Sequence, residues 1–88
     1  MSAQVRIDPT PNPNSLKITV SAPVSPKPVT FASPAAAAAD PLARKLFEVE
    51  GVASVFMINN FVTVTKTPDA DWDELAGKLG GIVASHFP

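Results

Sequence analysis

The chain has 88 residues, a net charge of −1 and no cysteine. At that length one domain can bury roughly 60–65% of its unfolded surface without a metal or a disulfide, and the missing thiols exclude disulfides, thiolate metal sites and cysteine nucleophiles together. The seven Lys and Arg residues are spread over Arg6, Lys17, Lys27, Arg44, Lys45, Lys66 and Lys78, so no basic stripe invites nucleic acid or anionic lipid. Residues 1–8 lack the charged-then-apolar layout of a secretion signal, and no apolar run approaches the ~20 residues of a membrane span. The expected compartment is the cytoplasm, with neither nucleic acid nor membrane as partner.

Val5 and Ile7, then Leu16, Ile18 and Val20, alternate with polar residues at the period of half-buried strands. Between them Pro9, Pro11 and Pro13 fix φ and bias the preceding residues toward extended backbone, giving a stiff turn. Residues 21–28 hold three more prolines and read as a loop, with Val29-Thr-Phe31 after them as a short edge strand opened by Pro28. Ser33-Pro34 and five alanines fit either a helical turn or a flexible linker. A firmer helix has Asp40 as N-cap and Pro41 at its first position, buries Leu42, Leu46 and Phe47, and stops at Gly51 after about three turns.

Residues 52–66 form the strongest local pattern, two alternating strands around Asn59-Asn60. With those two residues as the loop, Ile58 opposes Phe61, Met57 opposes Val62, Phe56 opposes Thr63 and Val55 opposes Val64. One face then carries Val55, Met57, Val62 and Val64, suited to the core. The other carries Ser54, Phe56, Ile58, Phe61, Thr63 and Thr65. A three-residue loop would shift the pairing by one and redistribute both faces. A last helix has Asp71 as N-cap and Glu74 in its first turn, with Trp72, Leu75, Ala76, Leu79, Ile82, Val83 and Phe87 along one stripe. Gly77, Gly80 and Gly81 fall inside it at up to ~1 kcal/mol each, so its second half is expected to fray or kink. The expected class is α+β, a single ββαββα-like domain over residues 1–88, whose antiparallel sheet packs two helices on one face.

Little chemistry is on offer. Asp69, Asp71 and Asp73 suggest calcium, but an EF-hand loop counted from Asp69 needs Gly at its sixth position and Glu at its twelfth, where Glu74 and Gly80 stand. Helix capping explains these acids better. His86, the only histidine, suits a helix C-terminus rather than a zinc or catalytic site. No Gly-x-Ser-x-Gly elbow, phosphate loop or dinucleotide fingerprint is present. What remains is surface: Phe56, Ile58, Phe61 and Thr63 on the face opposite the helices form a candidate interaction surface, and a large apolar patch there would mark a contact site. Pairing at a sheet edge is the other surface option.

Thr10-Pro-Asn-Pro-Asn14 with Leu16-Lys17, Pro41-Leu-Ala43 with Lys45-Leu-Phe47, Gly51-Val52, Val55-Phe56, Phe61 and Thr63-Val-Thr-Lys66 occur in this order. Together they resemble the N-terminal domain of Nfu-type (NifU-like) iron–sulfur scaffold proteins. The chain departs from that pattern at Asp40, where the family has serine, at Met57, where it has phenylalanine, and at Ile58-Asn-Asn60, where it has Gly-x-Asp. Ile58 matters most, because a β-branched residue does not take the positive φ open to glycine, so the turn is expected to be reshaped. The resemblance implies a domain that does not hold the cluster itself; in two-domain Nfu proteins a second domain bearing Cys-x-x-Cys binds the iron. It further implies a non-enzymatic binding or adaptor module without a cofactor, working in iron–sulfur cluster assembly through a cysteine-bearing scaffold or client protein, as a monomer or weak homodimer. Two rival readings stand beside it: a metal or small-molecule site built from Asp69, Asp71, Asp73 and His86, and a structural module whose apolar face makes a homodimer.

Overall fold

The computed structural model describes residues 4–87. Five strands form one antiparallel sheet: β1 (Val5–Pro9), β2 (Ser15–Val20), β3 (Ser25–Phe31), β4 (Val52–Asn59) and β5 (Phe61–Lys66). Their spatial order is β1-β2-β5-β4-β3. Three helices, α1 (Pro34–Ala37), α2 (Pro41–Phe47) and α3 (Trp72–His86), cover one face. The α+β arrangement holds and is extended by β3 and α1.

The β4–β5 hairpin adopts the two-residue loop, with Ile58 opposite Phe61, Met57 opposite Val62 and Val55 opposite Val64. Asn59 takes the positive φ, at 52°, and Ile58 stays in ordinary strand conformation. The Asn59 and Asn60 carbonyls accept from the amides of Val24 and Val20, which ties the hairpin tip to the β2–β3 connection. Period-two alternation then sends Ile18, Val20, Val55, Met57, Val62 and Val64 under the helices, where they pack with Leu42, Leu46, Leu75, Leu79 and Val83. Each such side chain contributes about 1.5–3 kcal/mol on burial.

Three expectations are corrected. Strand β3 begins at Ser25 within the proline-rich segment, because its ladder shifts between Ser25, opposite Asn59, and Val29, opposite Met57. That irregularity lets Pro26 and Pro28 sit where no ladder amide is required. Helix α2 is seven residues long, ending at Phe47, and a turn carries the chain on to Gly51. There φ is +102° and an added Cβ would lie 2.9 Å from the Ala70 Cβ, so both conformation and space call for glycine. Helix α3 runs unbroken to His86 despite its three glycines, since Leu75, Leu79 and Val83 dock it on the sheet.

Both caps form as expected. The Asp40 carboxylate accepts from the amides of Leu42 and Ala43, and the Asp71 carboxylate accepts from the amide of Asp73. Between the two readings left open for the alanine segment, the helical turn is the one observed: Ser33 caps α1 and Ala37 is fully buried against the core.

Candidate functional site

The sheet face opposite the helices is built by register. One row across it runs Arg6, Thr19, Phe61 and Ile58; the next runs Asp8, Lys17, Thr63, Phe56 and Thr30; a third runs Ser15, Thr65 and Ser54. Phe56, Ile58, Phe61 and Thr63 are therefore brought together on central strands, on the face the helices leave open. The alanine segment does not reach them, because α1 packs on α2 and β3 at the helical side.

Phe56 and Phe61 stand diagonally, their ring centroids 6.4 Å apart and tilted by 53°, within the range of favourable aromatic pairs. The Lys17 ammonium lies 4.4 Å from the Phe61 ring centroid, a cation–π contact. All three apolar side chains are half-buried, screened by one another and by flanking threonines; Ile7 is the exposed large hydrophobic residue. The patch is contiguous but shallow. Toward the β1 edge Arg6 and Asp8 pair at 3.1 Å in solvent, a contact worth at most about 1 kcal/mol. Edge pairing loses support, since β3 carries Pro26 and Pro28 and β1 ends at Pro9.

The Thr10–Asn14 motif is consumed by structure. The Thr10 hydroxyl bridges the carbonyls of Asn12 and Ser15, and the Asn12 side chain accepts from the Asn14 amide. Asn14 in turn accepts from the Lys66 ammonium at 3.1 Å through its side chain and from the Lys66 amide at 2.7 Å through its carbonyl. Lys66 is buried, with the Thr67 carbonyl as a second acceptor and the Trp72 ring 5.8 Å away, and the Trp72 indole donates to the Pro13 carbonyl. Sequence reasoning missed this clamp. Its signal was parity, because Lys66 follows Val62 and Val64 on the inward face.

The acidic rival is not assembled. Asp69 and Asp71 line an open cleft with Glu50 and Glu74, but Asp71 is engaged as a cap. His86 closes the far end of α3, about 20 Å along the helix from Trp72. No group of three His, Asp or Glu suited to a metal occurs among the described residues. The Thr67 hydroxyl, helped by the Asp69 amide and more weakly by Lys66, holds the exposed Asp69 carboxyl below its ordinary pKa. His86 stands edge-on to Phe87 at 5.0 Å and its buried Nδ1 makes no hydrogen bond among the described residues. No helix among the described residues is long and apolar enough to cross a membrane.

Fold and surface together define a small α+β domain with a half-covered sheet. The chain belongs to the scaffold protein Nfu/NifU N-terminal family, whose model matches residues 5–88. It is 45% identical over 80 residues to the human NFU1 iron-sulfur cluster scaffold homolog, mitochondrial, covering 89% of this chain and 32% of that protein. It is 37% identical over 79 residues to NifU-like protein 5, mitochondrial, of Arabidopsis thaliana, covering 89% of this chain and 29% of that protein. The chain thus spans about a third of the length of these relatives. A crystal structure of a Staphylococcus aureus protein superposes with a TM-score of 0.75 at 29% identity, covering 93% of this chain and 98% of the other. The solution structure of a NifU-like protein from Saccharomyces cerevisiae gives 0.83 at 18% identity, covering 96% and 77%, and shares the fold.

Proposed function

We propose that this domain is a non-enzymatic protein-binding module of iron–sulfur cluster assembly, acting through the open sheet face around Phe56, Ile58, Phe61 and Thr63. The observation that carries this reading is the contrast between the two sides of the sheet. One is sealed by helices, while the other presents an aromatic pair, an isoleucine and Lys17 with no element over them. Support for the process comes from the relatives, whose names describe iron-sulfur cluster scaffolds. These 88 residues offer no thiolate, so the contact we propose is with a cysteine-bearing scaffold or with a client that receives the cluster, the domain itself being monomeric or weakly dimeric.

Affinity purification of the tagged chain from its own cells, with Phe56→Ser/Phe61→Ser as matched control, tests this. Recovery of cysteine-bearing scaffold or client proteins, lost in the folded double variant, is the expected result. Recovery that is indifferent to the double variant would remove the face from the mechanism. A stoichiometric cluster on the purified chain alone would overturn the adaptor role. The named relatives are mitochondrial, and cell fractionation decides between that compartment and the cytoplasm for this chain.

A further inference from the structure

The fold sorts charges that the sequence scatters. The strands hold four cations, Arg6, Lys17, Lys27 and Lys66, against one anion, Asp8, a net of +3. The helices and the turns around them hold three cations, Arg44, Lys45 and Lys78, against seven acids, a net of −4. Together these give the overall −1. On the open face Arg6 is engaged by Asp8, the one ion pair among the described residues. Lys66 points to the helical side. Lys17 lies against the Phe61 ring at the β2 flank of the apolar patch, opposite Asp8 in the ladder, and makes no ion pair of its own among the described residues.

We infer that the open face receives an acidic amphipathic helix of the partner protein, its apolar stripe on Phe56, Ile58 and Phe61 and a carboxylate meeting Lys17. This rests on the reading of that face as an interaction surface. The charge of the occupant follows from Lys17: the Asp8 carboxylate opposite it is taken up by Arg6, so an incoming carboxylate supplies an ion pair that Lys17 does not make within the domain, and an incoming ammonium would meet a like charge. Helical form follows from the backbone. A peptide laid extended across a sheet face would bury amides and carbonyls without partners, whereas a helix satisfies its own. Strand addition at an edge would avoid that cost, but Pro26 and Pro28 interrupt the β3 edge and β1 offers only residues 5–8 before it ends at Pro9. A second copy is a poorer occupant. Two identical faces would set Lys17-bearing surfaces against each other, like charge to like.

The probe is a synthetic sixteen-residue-class amphipathic peptide, about 16 residues long so that it spans the sheet at 1.5 Å per residue, with a leucine stripe flanked by glutamates, and its counterpart with lysines in their place. Amide shifts of the isotope-labelled 88-residue chain are followed by NMR during titration. Expected are shifts confined to β2, β5 and β4 around Lys17, Phe61 and Phe56, binding at least about five-fold tighter for the acidic peptide, and weakening with salt. Lys17→Glu, which leaves the core untouched, is expected to reverse the preference. Equal binding of both peptides at this face overturns the acidic partner while leaving the face intact. Absence of binding at this face by either peptide overturns the helical occupant; the face itself then stands or falls on the Phe56→Ser/Phe61→Ser purification. Shifts confined to another surface overturn the inference as well.

Discussion

Replacing Gly77 and Gly81 by alanine is expected to stabilise the domain. Both lie inside α3, and an added Cβ at either position meets nothing within 4 Å. The substitution therefore changes only helix propensity and the entropy of the unfolded chain. Each gains about 0.4–1 kcal/mol, and the pair together about 1–2 kcal/mol. At ~4–8 °C per kcal/mol for a domain of this size, Tm rises by roughly 4–16 °C. The other two glycines supply the contrast. At Gly80 an added Cβ stands 3.0 Å from the Ile7 Cδ1, so the gain in propensity is offset by displacement of an edge-strand side chain, and a change within about 0.5 kcal/mol is expected. At Gly51 the φ of +102° and the Ala70 Cβ at 2.9 Å combine, and alanine is expected to cost about 1–3 kcal/mol. Urea and thermal unfolding followed by circular dichroism measure all four, with an unchanged m-value as the check that the unfolded state is the same. If Gly77→Ala/Gly81→Ala is neutral or destabilising at unchanged m, the account of Gly77 and Gly81 as unobstructed helical positions where only propensity and unfolded-state entropy count is refuted.

Asp40→Ala removes an acceptor shared by two helix amides and is expected to cost about 0.5–2 kcal/mol in urea unfolding; Asp40→Asn, which can still cap, should recover most of it. Asn14→Ala leaves the buried Lys66 ammonium one acceptor short, with an expected loss of about 1–3 kcal/mol. An unchanged midpoint in that variant would show the clamp to be incidental. Asp69, held below its ordinary pKa chiefly by the Thr67 hydroxyl, contributes its stability above the unfolded carboxylate value of about 3.9. That contribution disappears as pH falls through the lower folded value. In an NMR titration Thr67→Val should move the Asp69 midpoint upward, toward the unfolded value; no movement would assign the depression to another group. Sedimentation at tens of micromolar should show a monomer, because two copies of the open face would set Lys17 against Lys17.

The hairpin was legible because its signals are local. Val55, Met57, Val62 and Val64 alternate on both sides of Asn59-Asn60, and a slip by one residue would have split those four between the two faces, turning one strand's pair to solvent. Asp40-Pro41 and Asp71 announced their caps for the same reason, since a cap is decided within three residues. The candidate face was legible to the extent that the hairpin was: with the register set, Phe56, Ile58, Phe61 and Thr63 had to share the side opposite Val62. The start of β3 was not legible, because prolines argue locally for loop and only the β4 partner shows that the ladder can step around them. The continuity of α3 escaped for a similar reason, as helix propensity is overridden by a docked stripe.

Alternation, capping and proline placement, all properties of neighbouring residues, thus determined from sequence the elements, the hairpin pairing and the division of residues between two faces. Tertiary structure decided what depends on residues far apart in the chain. It buried Lys66 beneath the Thr10–Asn14 turn, 52 positions away from Asn14, and left open space beside Gly77 and Gly81. It also gathered cations on the sheet and acids on the helical side, because strand order places β2 beside β5 and sends every helix to the same face. Spacing along the chain carries no record of such a separation, which arises only when the layers close on one another.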